Sequence, residues 1–211
     1  MNTSGEDLIS VNGNSVWRMA WVIAFVVVLI WSGIAPKDRF TWILEVAPAV
    51  IGAAILWATR RSFRLTPLLY VLILIHATIL MVGGHYTYAE VPLFDGLFDS
   101  SRNNYDKLGH FAQGFVPAMI AREIIVRKRV VNGRLWQGFF IITVCLAISA
   151  FYELIEWWVA LASDQAAEAF LGTQGYVWDT QSDMALALLG AIVALASLSR
   201  LHDRQLARIT T

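Results

Sequence analysis

The chain has 211 residues, of which 57% are apolar or aromatic and only 15% are charged. Soluble domains usually carry about 25% charged residues, so this composition excludes an ordinary soluble domain. The 16 Lys and Arg balance the 16 Asp and Glu, which leaves no positive excess for a nucleic-acid partner. The single cysteine, Cys145, excludes an intramolecular disulfide and is expected to be a packing residue.

Six segments are long and apolar enough to cross a bilayer, which takes about 20 mostly apolar residues. They cover residues 17–35, 41–59, 67–84, 107–126, 136–161 and 181–200. Pro36, Pro67 and Asn132-Gly133 mark breaks between them. The first segment follows Glu6 and Asp7 and lies too far into the chain for a cleaved signal peptide. We predict a single integral membrane domain over residues 1–211, an all-α polytopic bundle of six transmembrane helices.

Lys and Arg near the helix ends predict the orientation. With the amino terminus inside, twelve of them fall on the cytoplasmic face: Arg18, Arg60, Arg61, Arg64, Arg122, Arg127, Lys128, Arg129, Arg134, Arg200, Arg204 and Arg208. The outer face carries only Lys37, Arg39, Arg102 and Lys107. This asymmetry predicts that both termini are cytoplasmic.

The acidic residues show the opposite asymmetry. Glu6, Asp7, Glu123 and Asp203 fall inside, whereas the other twelve, Glu45 among them, fall outside or in the outer half of a span. Asp and Glu contribute little to membrane topology, so insertion does not account for this excess. The outer acidic residues therefore require another explanation.

Acidic pairs occur near the outer ends of three predicted spans. Asp106 and His110 are four residues apart at the start of the fourth span, and Asp179 and Asp183 are four apart at the sixth. Glu153 and Glu156 are three apart near the outer end of the fifth. Each spacing places both side chains on one helix face. His85, at the end of the third span, is predicted to lie at the same height.

Five carboxylates at one height in a low-dielectric region repel one another unless some are protonated or a cation neutralises them. We predict a divalent metal site, with ligands drawn from Asp106, His110, Glu153, Glu156, Asp179 and Asp183. Oxygen and imidazole donors suit Zn, Mn, Mg or Fe, and the lack of a cysteine cluster argues against Cu(I) or a structural zinc. The Glu-x-x-His repeat of ferritin-type di-iron bundles is absent from the sequence.

Some of these residues also have structural interpretations. Asp179 and Asp106 stand where a helix N-cap is expected, and Lys107 could pair with Asp106. Glu153 and Glu156 lie near a helix carboxyl end, where the dipole disfavours acids, so capping does not explain them. His76 is expected to be packed and hydrogen-bonded, and His202 to be solvated in a basic tail.

Two outer loops are candidates to cover the acidic residues. A short amphipathic helix is expected near residues 91–99 and another over 164–171. Either segment could act as a lid over the site, or be an ordinary connection.

Three motifs surround the acidic pairs. They are Tyr105-Asp106-Lys107 with His110-Phe111, Phe151-Tyr152-Glu153-Leu154-Ile155-Glu156-Trp157, and Trp178-Asp179 with Gln181-Ser182-Asp183-Met184. Together they resemble the YjdF-type family of bacterial inner-membrane proteins, a domain of unknown function. The likeness extends from the first span to the sixth. A weaker likeness joins the chain to VanZ-like membrane proteins, which have a similar Asp-Lys-x-x-His-Phe motif, a later Glu and an acidic last helix running into Gly, here Gly190. The VanZ resemblance implies the outer face of the envelope, but no reaction.

Two functions remain open. In the first, a metalloenzyme hydrolyses or transfers a group on a lipid or lipid-linked substrate, with Glu153, His110 and His85 as catalytic groups and Arg102 or Lys107 as anion contacts. In the second, the same residues form the ion or proton site of a small transporter. An envelope accessory protein with a structural cation is a third interpretation.

Overall fold

The computed structural model describes residues 5–92, 103–162 and 174–209, with side chains from Val16 onward in the first helix. Six α-helices form the regular structure of these ranges. They are α1 (Gly5–Gly33), α2 (Arg39–Thr59), α3 (Pro67–Tyr86), α4 (Tyr105–Lys128), α5 (Arg134–Ala162) and α6 (Asp179–Ile209). The all-α prediction is confirmed. The short helices expected near residues 91–99 and 164–171 lie outside the described residues, apart from Val91 and Pro92.

The predicted spans agree with the middle four helices to within two residues at each end. The two terminal helices differ: α1 begins at Gly5 instead of 17, and α6 ends at Ile209 instead of 200. A hydropathy window detects the apolar part of a helix, whereas the helix itself continues through the polar residues beyond it. The extra turns of α6 carry His202.

Local chemistry fixes several helix ends. The Asp38 side chain caps α2, since its Oδ1 accepts a hydrogen bond from the Thr41 backbone N–H at 2.7 Å. This bond lowers the pKa of the half-buried Asp38 carboxyl. Pro67 occupies the first turn of α3, where its missing N–H costs nothing. Helix α4 ends at Lys128, and the next residue, Arg129, caps it in a left-handed conformation with φ 51°.

Five helices, all except α4, are long and apolar enough to cross a membrane. Their outward faces carry large exposed apolar side chains, such as Ile23, Ile51, Phe139 and Leu189, as lipid contact requires. The 24-residue α4 is long enough to span but has more polar residues. It also has the most buried residues of the six, because α3, α5 and α6 pack around it. Its polar side chains therefore face protein rather than lipid.

Close backbone contact joins α4 to α6. A Cβ added to Gly114 would lie 1.8 Å from the carbonyl oxygen of Ala187, and one added to Gly190 would lie 2.1 Å from that of Phe111. Only glycine lets the two backbones come this close. Interfaces between membrane helices are commonly built from small residues for the same reason. The core around this contact includes the fully buried Cys145, which is a packing residue as predicted.

A second apolar core joins α1, α2 and α3. Phe25, Val46, Ala49, Ala77 and Met81 form its buried part. The contact between α1 and α2 lies near their connection, where the Trp42 indole Nε1 donates to Ser32 Oγ at 3.2 Å.

Candidate functional site

The structure brings together all six predicted metal ligands at one end of the bundle, termed here the acidic end. They are Asp106 and His110 of α4, Glu153 and Glu156 of α5, and Asp179 and Asp183 of α6. Each is between 3% and 9% exposed. The Gly114 and Gly190 contacts hold α4 and α6 close enough for side chains on the two helices to meet.

His110 lies at the centre of this cluster. Its Nε2 is 3.2 Å from Asp106 Oδ1 and 3.8 Å from Asp183 Oδ2, and its Nδ1 is 4.0 Å from Glu153 Oε1. Asp106, His110 and Asp183 each offer a ligand atom, and these atoms lie within 4.8 Å of one another. An ion placed among three such atoms would be about 2–3 Å from each, which includes the usual range for Zn, Mg or Ca.

Gln113 orients the His110 ring. Its amide oxygen Oε1 lies 3.2 Å from His110 Nδ1. In this orientation of the Gln113 amide, Nδ1 is the donor nitrogen and Nε2 faces Asp106 and Asp183. Metal-binding histidines are commonly held in this way, with one ring nitrogen donating to an oxygen and the other free to ligate.

Two carboxylate oxygens of the cluster are buried without a hydrogen-bond partner among the described residues. They are Asp183 Oδ1 and Glu153 Oε1. A buried acceptor without a donor costs about 1–3 kcal/mol, and more when it is charged. The cluster therefore has unused capacity to bind a proton donor or a cation.

A cavity of about 210 Å³ adjoins the cluster. Glu45, Asp106, His110 and Glu156 line it together with Tyr152, and the lining continues to His76. The Tyr152 hydroxyl donates to Glu45 Oε2 at 3.0 Å. The sequence motifs do not include Glu45, although a carboxylate within an apolar span is itself a signal of function.

Tyr88 lines the same cavity from the segment after α3. Burial raises the pKa of its phenol well above the ordinary value, so the hydroxyl remains a hydrogen-bond donor. A Cβ on Gly83 would lie 2.3 Å from the Tyr88 ring, and one on Gly109 would lie 2.9 Å from it. These two glycines make the space that the ring occupies.

The structure places His85 away from the acidic cluster. Its Nδ1 is 3.0 Å from the Ser32 carbonyl oxygen of α1, and its ring stacks on Trp31 with 4.8 Å between centroids. Its role as an acid or base stays a prediction. Lys107 is half-buried beside Asp106 at the start of α4, and Arg102 lies outside the described residues.

His76 and His202 both differ from expectation. His76 Nε2 is buried without a hydrogen-bond partner in the described structure, whereas a bonded ring was expected. The expectation that His202 is solvated is wrong, because this residue is 0% exposed. The extra turns of α6 bring its ring against α4, where Nε2 lies 3.0 Å from Glu123 Oε2.

His202 belongs to a second polar cluster, at the opposite, basic end of the bundle. Glu123 accepts hydrogen bonds from Thr66 N and Thr66 Oγ1, at 3.1 Å and 2.8 Å, and from Arg127 Nη1 at 2.7 Å. Arg122 lies 2.9 Å from His202 Nδ1 and pairs with Asp203. Each charge in this cluster has a partner of opposite sign or a hydrogen bond.

Long apolar helices around a buried polar α4 define a multi-pass membrane protein with an acidic cluster at one end. Residues 17–204 match the family described as "Predicted membrane protein (DUF2238)", and the chain belongs to this family. It is 56% identical over 189 residues to "Inner membrane protein YjdF" of Escherichia coli (strain K12), which covers 88% of this chain and 90% of that protein. The YjdF resemblance is thereby confirmed, and the chain is a protein of the bacterial inner membrane. No solved structure matches it.

Proposed function

We propose that the acidic end binds a divalent cation and that the protein is a metal-dependent hydrolase or transferase acting on a lipid or lipid-linked substrate. One observation carries the proposal: Asp106, His110 and Asp183 offer ligand atoms within 4.8 Å of one another. The cluster also has several more carboxylates than imidazoles, which a cation would balance. Zn, Mn, Mg and Fe are the candidate ions.

The residues divide into ligands and groups that handle the substrate. Asp106, His110 and Asp183 are the central ligands, and Glu156 and Asp179 complete the charge balance. A bound divalent ion lowers the pKa of a coordinated water and polarises a phosphoryl or carbonyl oxygen. Glu153, whose Oε1 is free to accept a proton, is the general base. Lys107 and Arg102 contact an anionic group of the substrate.

We place the acidic end at the periplasmic face, with both termini in the cytoplasm and all of residues 1–211 in one membrane domain. Most Lys and Arg then lie on the cytoplasmic side, as membrane insertion favours. α4 would be the sixth span, protected from lipid by α3, α5 and α6. The substrate would reach the site from the outer leaflet.

A second function, ion or proton transport, is favoured by the shape of the cavity. Its lining runs from the acidic cluster to His76 and includes Pro48 and Pro117, which lie within the continuous helices α2 and α4. A proline within a helix frees the carbonyl four residues earlier, here those of Leu44 and Gln113. Transporters commonly build ion sites where membrane helices are interrupted.

The two functions are separated in proteoliposomes that contain the full chain. The enzyme predicts release of phosphate or acid from a lipid substrate that requires added divalent metal, stops with chelator, and is lost in Glu153→Gln and His110→Ala. Transport predicts instead a flux of protons or cations driven by an imposed gradient, without lipid turnover. Asp203→Asn, which changes an exposed acid at the basic end, serves as the matched control. Metal binding with neither turnover nor flux would favour the accessory protein.

A further inference from the structure

A groove opens between α1 and α2 at the basic end, with α3 as its floor. Its volume is about 540 Å³. Trp17, Trp21 and Phe25 of α1 line one side, and Leu56 and Trp57 of α2 line the other. Tyr70 lies on the floor, where its carbonyl oxygen accepts a hydrogen bond from Trp21 Nε1 at 2.7 Å. The groove is therefore apolar and aromatic along its length.

The shape follows from how the two helices pack. α1 and α2 meet near the short connection between them, where Trp42 bonds to Ser32 and fills the space beside Gly33. Both helices also pack on α3 through Phe25, Ala49 and Ala77. Toward the basic end they separate, and no described side chain fills the space between them.

Positive charge is concentrated at the mouth of the groove. Arg18 of α1 lies on one side, and Arg60, Arg61 and Arg64 follow the end of α2 on the other. The described lining includes no acidic residue. The guanidinium of Arg60 lies 4.2 Å from the centroid of the Trp57 ring, and Arg64 Nε donates to the Arg60 carbonyl. Exposed guanidinium groups above aromatic rings are suited to a phosphate at the membrane interface.

We propose that this groove binds an anionic phospholipid of the bilayer, with its phosphate at Arg18, Arg60, Arg61 and Arg64 and one acyl chain between α1 and α2. The charge at the mouth selects an anionic headgroup over a zwitterionic one. The groove extends from Ala53 within α2 to Arg60 at the helix end, about 10 Å along the helix axis, which is about a third of a hydrocarbon core of about 30 Å. This depth suits the upper part of an acyl chain and exceeds what a headgroup alone would need.

The test uses the full chain purified in detergent, with bound lipids counted by native mass spectrometry. Phosphatidylglycerol is titrated against phosphatidylcholine of the same acyl chains. We expect phosphatidylglycerol to bind at least ten-fold more tightly and the triple variant R60Q/R61Q/R64Q to lose at least ten-fold, since each Arg near an anionic surface strengthens binding by about five-fold. The matched control R129Q/R134Q/R200Q, which removes three exposed basic residues outside the groove, should change binding less than about two-fold.

A second pair of variants tests whether the acyl chain enters the groove. Val22 lines it, whereas its neighbour Ile23 is not among the lining residues, and the two are 54% and 56% exposed. V22W should fill the groove and weaken phosphatidylglycerol binding, and I23W should leave it unchanged. Equal binding of the two lipids, equal loss in both triple variants, or no effect of V22W would overturn the proposal. So would a dimer that R60Q/R61Q/R64Q dissociates, because a second copy would then occupy the groove.

Discussion

Two buried clusters at opposite ends of α4 both place a histidine beside a carboxylate, but they differ in their balance of charge and hydrogen bonds. At the basic end, Glu123 of α4 contacts His202 of α6, and Thr66 and Arg127 complete its hydrogen bonds. At the acidic end, His110 of α4 faces Asp183 of α6 among further carboxylates, and Asp183 Oδ1 has no hydrogen-bond partner among the described residues.

The difference separates a structural role from a functional one. A buried charge with all its partners stabilises one arrangement of the helices, and the loss of one partner is costly. A buried cluster of like charges with free acceptor oxygens costs stability in the isolated protein and is retained where it binds something. Burial alone does not distinguish the two clusters, but the balance of charge and hydrogen bonds does.

The largest expected effect is at the basic end. Glu123→Ala should lower the free energy of unfolding by about 3–5 kcal/mol, because it leaves Arg127 and His202 without their buried partner. In metal-free protein, Asp183→Asn should lower the free energy of unfolding by less than about 1 kcal/mol, or should raise it, because repulsion among the carboxylates of the acidic cluster falls. Reversible unfolding in mixed micelles measures both. If Asp183→Asn cost as much as Glu123→Ala, the two clusters would not differ as described.

A smaller effect is expected where α4 contacts α6. Gly114→Ala should cost about 1–3 kcal/mol, because its Cβ would overlap the Ala187 backbone. It should also weaken metal binding by moving His110 away from Asp183. Gly138→Ala is the matched control, since a Cβ there meets nothing within 4 Å, and it should be neutral or stabilising by up to about 1 kcal/mol. Thermal unfolding and metal titration of both variants check this, and equal effects would contradict it.

At the cavity, Tyr152→Phe should lower the free energy of unfolding by about 1 kcal/mol, because Glu45 loses a hydrogen-bond donor. In a Glu45→Gln background the same change should cost less, since the carboxyl acceptor of this bond has already been replaced by an amide. A double-mutant cycle measures the coupling between the two residues. Strictly additive effects would show that this hydrogen bond contributes nothing.

The smallest effect is at the N-cap of α2. Asp38→Ala should cost about 0.5–1 kcal/mol, as expected for loss of an N-cap. Because the Thr41 backbone N–H lowers the folded-state pKa of Asp38, its contribution is present above the carboxyl's ordinary pKa and is lost as pH falls through the lowered value. The difference in stability between wild type and variant should therefore shrink in acid. If the difference in stability between wild type and Asp38→Ala grew as the pH fell, the predicted direction of the pH dependence would be wrong.

Hydropathy and residue spacing predicted the six helices and the set of acidic residues, because both depend on position along one helix. They did not predict which neighbouring helix each helix face contacts in the bundle. His85 and Tyr86 differ by one residue, about 100° of helical rotation, and only packing on α1 turned His85 toward Ser32. For the same reason Glu45 was not selected as a site residue and His202 was wrongly expected to be solvated, since the burial of both depends on contacts with other helices.

The central claim is that the acidic end binds a divalent cation, and metal content tests it most directly. The full chain, purified at neutral pH and equilibrated with Zn, Mn, Mg or Fe in turn, should retain about one ion per chain of at least one of these metals after desalting. His110→Ala and Asp183→Asn should lose that ion, while Asp203→Asn should keep it. Wild-type protein that retains no ion, or variants that retain as much as wild type, would contradict the account.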